Sequence, residues 1–355
     1  MDQTKTRDFN TGSVLNNILY FSLPYLLSYF LQTLYGMADL FIIGQFDGTA
    51  ATTAVSLGSQ VMHMLTVMLV GLAMGTTVSI GQAVGAGDGK RASAIIGNTV
   101  VLFAGVSVAL MLILLALVRP IVALVSTPAE AVDGTVRYLT LCFIGIPFIT
   151  AYNVLSSIFR GLGDSRSPMY FIAVACGVNI ALDYLFIGAF HMGPAGAALG
   201  TTISQTISVV IALVAIRLRD TGISLKKSDF RPKKTAMGQL LRIGFPVAMQ
   251  DGFIQISFLV ITVIANQRGL TDAAAVGIVE KIISFIFLVP SSMLSTVSAL
   301  CAQNIGAGNE ERARKTLRYA ILIATGFGAV MAVLVQLIAD PVVGLFSKDA
   351  AVVAQ

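Results

Sequence analysis

Four carboxylic acids stand within long apolar stretches of this sequence, where an ionised side chain is costly. They are Asp39, Asp183, Asp251 and Glu280. An ionised carboxylate at the centre of a bilayer costs about 2.5–3.5 kcal/mol on insertion scales. Each acid is therefore expected to face the interior of a helix bundle and to bind a proton, a cation or a neighbouring base.

Amides and hydroxyls accompany the first two acids in helical register. Gln32 lies seven residues before Asp39, and Asn179 lies four residues before Asp183, so each pair shares one helix face. The other polar positions of interest in the first half are Asn153, Thr201 and Gln205. These side chains either turn towards a shared polar cavity or act as hydrogen-bond partners that hold neighbouring helices together.

The two acids of the second half have less definite settings. Asp251 stands five residues after Pro246, which suits either a second cation site or an N-terminal turn near the cytoplasmic interface. Glu280 and Lys281 are adjacent and point about 100° apart on a helix, so they do not pair directly within it. Either they meet partners on other helices, or they border a water-filled cavity.

The composition places these residues in a membrane. The chain is 56% apolar and 12% charged, whereas soluble domains are roughly 25% charged. Apolar runs long enough to cross a bilayer recur throughout and predict an all-α polytopic membrane protein. We place nine spans at about 14–45, 49–80, 92–118, 134–158, 167–190, 193–217, 238–266, 273–303 and 313–338. The basic residues lie in short loops instead of one patch, so no nucleic-acid partner is expected.

The two halves of the sequence repeat each other. Residues 81–87, Gly-Gln-Ala-Val-Gly-Ala-Gly, return at 302–308 as Ala-Gln-Asn-Ile-Gly-Ala-Gly, with an offset of 221 residues. Pro24 and Pro246 correspond at an offset of 222. Because six spans precede the join, both halves begin on the same side of the membrane and are parallel repeats. We predict an N-terminal six-helix lobe at 1–216, a basic linker at 217–237, and a partial C-terminal lobe at 238–355 whose last three helices are missing.

Loop charge predicts the orientation. Lys and Arg concentrate in the N-terminal tail and in every second loop. By the positive-inside rule, the N-terminus and the 217–237 linker are cytoplasmic. We expect a multi-pass protein of the plasma membrane that is a monomer.

The sequence lacks the patterns that catalysis and metal binding require. Val84 occupies the first glycine position of a phosphate-binding loop, so residues 85–90 are interpreted as a tight cytoplasmic turn. His63 and His191 are far apart, and no Cys/His cluster has the spacing of a metal site. We therefore expect neither an enzyme nor a metal site.

Taken together, these motifs resemble those of the multidrug and toxic compound extrusion (MATE) transporters, in particular the DinF-like branch. The resemblance covers essentially the whole chain. It rests on the Leu-Pro that opens the first half with the matching Phe-Pro of the second, on segments 32–39 and 179–183, on the paired turns, and on Arg160-Gly161-Leu162-Gly163-Asp164. It implies two six-helix lobes around a central cleft, and export of cationic amphipathic compounds in exchange for H+ or Na+.

The resemblance also implies roles for individual residues. Asp39 and Asp183 are the expected cation-coupling residues. The resemblance implies Asn153, Asn179 and Thr201 as polar neighbours in the first-lobe cavity, and helical register adds Gln32 and Gln205 to the expected lining. Independently of the resemblance, the positions of Asp251 and Glu280 within apolar stretches make them a possible site in the second lobe. The expected partners are a small cationic substrate, the H+ or Na+ that serves as coupling ion in place of any cofactor, and the lipid bilayer.

Two other functions remain open on the sequence. A lipid-linked saccharide flippase of a related fold needs a cleft rich in Arg or Lys, and Lys281 is the one base that we place inside a span. A truncated membrane protein that does not transport is the other alternative, because the second repeat ends after three spans.

Overall fold

A computed structural model describes residues 9–218 and 225–344. That description leaves out the side chains of residues 266, 270, 271, 273, 274, 281 and 338–344. The helices are α1 Val14–Phe46, α2 Thr49–Gly85, α3 Gly89–Leu124, α4 Val132–Ile144, α5 Ile146–Gly161, α6 Arg166–Asp183, α7 Pro194–Leu218, α8 Lys234–Arg268, α9 Leu270–Ile286, α10 Leu288–Gly306 and α11 Glu310–Gly344. The described residues contain no β-strand, which confirms the all-α fold.

Within the described ranges, eight helical segments are long and apolar enough to cross a membrane, and the bent pair α4–α5 is a ninth candidate, which agrees with the nine predicted spans. The helices α4 and α5 form one span that bends by 50° at Gly145. The helices α9 and α10 also form one span, with Phe287 between them. Pro147 lies in the first turn of α5 and Pro290 in that of α10, where a proline costs no helical hydrogen bond. Several helices extend past the predicted spans because their polar ends continue beyond the apolar pattern.

The turns that follow α2 and α10 have the same structure. Gly87 has a φ of +69° and Gly308 a φ of +74°, a conformation that favours glycine. In the next turn, Asp88 Oδ1 accepts a hydrogen bond from Arg91 N at 2.9 Å, and Asn309 Oδ1 accepts one from Arg312 N at 3.2 Å. The expected tight turn at 85–90 is thus confirmed and recurs in the second repeat.

We call α1–α7 the first lobe and α8–α11 the second lobe. Helices α8, α9–α10 and α11 repeat α1, α2 and α3 at the predicted offset. A Cβ atom on Gly85 would overlap the carbonyl oxygen of Gln303, and one on Gly306 would overlap that of Gln82. Because each pair is related by the same offset, the contact of α2 with α10 is self-complementary. A self-complementary contact indicates a local twofold axis between these helices.

The helix α2 also touches α8 through bare backbone. A Cβ atom on Gly75 would overlap the carbonyl oxygen of Leu240, and one on Gly244 would overlap that of Leu72. Small residues let membrane helices approach in this way. These contacts gather towards the basic end, by which we mean the end of the bundle that carries the turns 86–88 and 307–309 and the segment 225–233.

Substitution of Gly244 tests this close approach. We expect Gly244→Ala to lower the free energy of unfolding in detergent by about 1–3 kcal/mol, because the methyl group has no room. The control is Gly326→Ala in α11, where a Cβ meets nothing within 4 Å. That change should stabilise the helix by up to about 1 kcal/mol. Equal thermal midpoints for the two variants would contradict the packing described here.

Candidate functional site

Two acids of the first lobe lie together. The carboxyl groups of Asp39 on α1 and Asp183 at the end of α6 lie close to each other, and Asn179 lies beside Asp39. Asp39 is 3% exposed and Asp183 is 0% exposed. Neither forms an ion pair with a residue in the described part of the chain. Two carboxylates this close repel, and one proton or cation between them removes the repulsion.

Several polar atoms of the pair have no hydrogen-bond partner among the described residues. Thr201 on α7 donates its hydroxyl to Asp39 Oδ2 at 3.3 Å. The other three carboxyl oxygens, Asp39 Oδ1 and both oxygens of Asp183, accept no hydrogen bond from the described residues. The amide oxygen and nitrogen of Asn179 are also unpaired. Buried polar atoms are nearly always paired, so this cluster suits a bound proton or a small cation with oxygen ligands.

A glycine makes the room that Asp183 occupies. A Cβ atom built on Gly200 of α7 would overlap Asp183 Oδ1 and would stand 3.6 Å from Asn179 Nδ2. The residue next to it, Thr201, supplies the hydroxyl to Asp39. Gly200 therefore lets α7 pass close enough to deliver Thr201. Sequence reasoning missed Gly200, and its position one residue before Thr201 was the available signal.

The backbone beyond Asp183 is held against the end of α1. A π-helix, Tyr184–Ala189, follows Asp183 directly, and π-turns occur frequently at functional sites. The Tyr184 ring meets the ring of Phe46 edge to face, with 6.1 Å between centroids. A Cβ atom on Gly188 would lie 3.1 Å from Phe46 Cζ. The helix that carries Asp39 and the one that carries Asp183 are thus joined close to the pair.

Further polar side chains, from α1 and from the helices that face it, lie between the acid pair and the basic end. Gln205 lies against the hydroxyl of Tyr35, which is itself near Asp39. One turn further, Gln32 lies against the hydroxyl of Tyr152 on α5. Each glutamine thus lies beside a tyrosine hydroxyl of the first lobe.

Asn153 has a different environment. Its Nδ2 donates to the carbonyl oxygen of Ile149, 2.8 Å away in its own helix. It is 7% exposed. The amide group is thus directed along α5, and no described contact joins it to the two acids.

The acids of the second lobe are separately placed. Asp251 lies far inside α8, so its interpretation as an N-terminal-turn residue was wrong; α8 begins at Lys234 because polar residues precede its apolar stretch. Its Oδ2 would be 2.8 Å from a Cβ atom on Gly71 of α2. Glu280 on α9 accepts a hydrogen bond from the Thr262 hydroxyl at 2.7 Å. Among the described contacts, none joins the two acids.

Arg160 corrects the sequence-based picture of the bases. We expected it in a loop, but it lies in the last turn of α5 and is 6% exposed. Its guanidinium carbon stands 4.0 Å from the centroid of the Tyr25 ring, and the face of an aromatic ring attracts a cation. Lys281 is therefore not the one base within a span; its own side chain is outside the described part of the structure.

Comparison with known proteins identifies similar chains. The MatE family model matches residues 24–185 and 246–355. The probable multidrug resistance protein YpnP of Bacillus subtilis is 32% identical over 309 residues, which are 87% of this chain and 69% of that protein. The multidrug export protein MepA of Staphylococcus haemolyticus is 25% identical over 347 residues, covering 97% of this chain and 76% of that protein.

A solved structure has the same fold. It is a transporter of the MOP superfamily from Pyrococcus furiosus, 25% identical, with a TM-score of 0.89 over 99% of this chain and 79% of that one. Its report describes a binding pocket of reversed polarity that suggests a different function for that protein.

A double-mutant cycle tests the role of Gly200. We expect Gly200→Ala to lower the free energy of unfolding by about 1–3 kcal/mol, because the methyl group displaces the Asp183 carboxyl. In an Asp183→Ala background the same change should be nearly neutral. Gly177→Ala on α6 is the matched control, since a Cβ there meets nothing within 4 Å. A full penalty that persists in the Asp183→Ala background would contradict this contact.

Proposed function

The chain belongs to the MatE family, and on this premise we propose that it is a secondary antiporter that exports cationic amphipathic compounds in exchange for H+ or Na+. Its relatives are named multidrug resistance and multidrug export proteins. The chain is accordingly a multi-pass membrane transporter of small molecules and not an enzyme. The antiport mechanism, the cationic substrate and the coupling ion are the parts that we propose.

The observation that carries the proposal is the buried Asp39–Asp183 pair with its unpaired oxygens. A carboxyl pair that forms no ion pair with a base among the described residues holds one positive charge most favourably. Loss of that charge leaves mutual repulsion inside the first lobe, and capture of a new charge relieves it. Asp39 and Asp183 are therefore the residues to which we assign ion coupling, with Asn179 and Thr201 as their polar support.

The helix α1 offers a route from this pair to the boundary between the lobes. Ser292 of α10 donates to the carbonyl oxygen of Ser22 at 2.9 Å, and Tyr29 and Ser295 share a hydrogen bond of 3.2 Å. Pro24 stands within the same helix, where it removes a backbone hydrogen bond. A change of charge at Asp39 thus acts on a helix that is in contact with the other lobe.

The parallel repeats supply the two bodies that alternating access requires. Their closest contacts gather towards the basic end, through α2 with α8 and α10. We propose that this end is cytoplasmic, in accord with its basic loops, that the described state is closed there, and that the protein works as a monomer in the plasma membrane.

Cation export is favoured over transport of a lipid-linked pyrophosphate. Such a substrate needs basic side chains free to bind phosphate. Among its described residues the first lobe buries a single base, Arg160, whose guanidinium stacks on Tyr25 and whose Nε has no hydrogen-bond partner there, and one base is not a basic cleft. The unpaired charged atoms at Asp39 and Asp183 are acceptors, which suit a cation.

Dye efflux tests the proposal. The purified chain is reconstituted into liposomes that contain a fluorescent cationic dye, and an inward pH gradient or Na+ gradient is imposed. We expect one of these gradients to drive efflux. Asp39→Asn, which keeps the size of the side chain and removes its charge, should reduce driven efflux to the rate of protein-free liposomes.

The matched control is Asp133→Asn, because Asp133 is an exposed carboxylate in the first turn of α4. It should transport as the unmodified chain does. Driven efflux that survives in Asp39→Asn would remove Asp39 from coupling. Absence of driven efflux from the unmodified chain under both gradients would reject cation antiport.

A further inference from the structure

Two short segments precede the first helix of each repeat, and each reaches the opposite lobe. The first leading segment is 9–13, before α1, and the second is 225–233, before α8. Asp8-Phe9 and Asp229-Phe230 correspond at the same offset of 221 residues that relates the two repeats. The first segment binds α11, and the second binds α3, which is the counterpart of α11.

One arginine holds the first leading segment. Arg312 of α11 donates from Nε to the carbonyl oxygen of Phe9 at 3.1 Å, from Nη1 to that of Gly12 at 2.8 Å, and from Nη2 to that of Thr11 at 2.7 Å. These bonds use the fixed fork of donors that a guanidinium presents. A side chain of the second lobe is thus bound to three carbonyl groups of the backbone that leads directly into α1.

The same segment is anchored in the first lobe. The Phe9 side chain is 2% exposed and meets the Phe21 ring edge to face at 5.5 Å. Its Cε2 would lie 3.1 Å from a Cβ atom on Gly163, in the loop after α5. Asn17 in the first turn of α1 donates to the carbonyl oxygen of Thr11 at 3.0 Å. The segment is therefore packed on the first lobe and is bonded to the second through Arg312, and Phe9 also shares a buried apolar cluster with Leu300 and Ala320 of the second lobe.

The second leading segment makes the corresponding bridge with different contacts. Asn98 of α3 donates from Nδ2 to the carbonyl oxygen of Asp229 at 3.2 Å and accepts from Lys233 N at 2.7 Å. A Cβ atom on Gly97 would overlap the same carbonyl oxygen of Asp229. The backbone that enters α8 thus rests directly on a helix of the first lobe.

We propose that the two leading segments form a symmetric latch that keeps the basic end closed, and that the contacts of Arg312 and Asn98 must break for this end to open. The inference rests on alternating access in the proposed function. Opening separates the lobes at the basic end, where α1 and α8 begin, so bonds that tie each of these starts to the opposite lobe favour the closed state.

Cysteine accessibility measures opening at this end. The reporter is Ser295→Cys, because Ser295 is 2% exposed and its Oγ meets Tyr29 of the other lobe. It is combined with Cys176→Ala and Cys301→Ala, while Cys142, 0% exposed in the core of the first lobe, is kept as a reporter of unfolding. Maleimide labelling of the reconstituted full chain is followed at positions 295 and 142 by mass spectrometry.

We expect Arg312→Gln to speed labelling at position 295 about tenfold, which corresponds to about 1.4 kcal/mol, with labelling at Cys142 unchanged. Arg314→Gln is the matched control, since Arg314 is an exposed base on the same helix whose partner is Glu310 at 3.7 Å. Its rate should stay within about twofold of the parent. Asn98→Ala should also speed labelling, and the two changes should multiply if the halves of the latch are independent.

Equal labelling at position 295 in Arg312→Gln and Arg314→Gln would overturn the latch, because the segment would then move together with α11. Labelling that rises in parallel at Cys142 would overturn it as well, since Arg312 would then stabilise the fold as a whole. The readout needs no transport. If the parent chain exports dye normally but Arg312→Gln does not change the labelling rate at position 295, the latch alone is rejected. If Arg312→Gln speeds labelling but the parent chain shows no gradient-driven efflux, the antiport alone is rejected.

Discussion

The helix α2 crosses α8 and α10 with direct contact between backbones. At these crossings a carbonyl oxygen of one helix occupies the place that a Cβ atom of the other would need. The contact is possible because residues 75, 85, 244 and 306 are glycines. Backbone in such contact has no side chain that can yield gradually. The crossing is either made in full or lost, which favours two discrete arrangements over continuous deformation. The contact of Gly85 with Gly306 is self-complementary, so each lobe presents the same surface to the other at this crossing. Under the proposed alternating access, we therefore expect the lobes to move as bodies, with the rest of the structure favouring one arrangement.

The proposed ion site lies away from these crossings, and coupling would need a physical connection to them. Asp39 and Asp183 belong to the first lobe alone, so the charge between them does not act on the second lobe by direct contact. The helix α1 supplies the connection, because it carries Asp39 in its second half and meets α10 through Ser22 and Tyr29 nearer its start. Pro24 lies between the leading segment and Tyr29. The helix α1 is therefore held at its start, bonded to the second lobe in its first half, and carries Asp39 in its second half. Such a helix is suited to transmit a change of charge at Asp39 to the contact between the lobes.

The sequence predicted the features that depend on local pattern. Nine spans followed from apolar runs, the repeat from its constant offset, and the facing of Asn179 and Asp183 from helical register. The missed features depend on how distant helices cross. Gly200 matters because α7 passes over α6, and Arg160 is buried because the ring of Tyr25 covers it. Hydropathy also placed the start of α8 too late, since Lys234 and the residues after it are helical without being apolar.

The two repeats share a scaffold but differ in chemistry. With the offset of 222 that relates Pro24 to Pro246, the counterpart of Asp39 in α8 is Ile261, and the counterpart of Tyr29 is Asp251. Tyr29 and Asp251 both lie at the boundary between the lobes, against Ser295 of α10 and Gly71 of α2 respectively. The twofold relation thus governs the surfaces that close, whereas the buried acid pair exists in the first lobe alone among the described residues. A ligand shifts a conformational equilibrium only through a difference in its interaction with the two states. The ion site that we propose in one of two similar bodies would provide such a difference, because its ion would act on α1 without an equal and opposite action on α8.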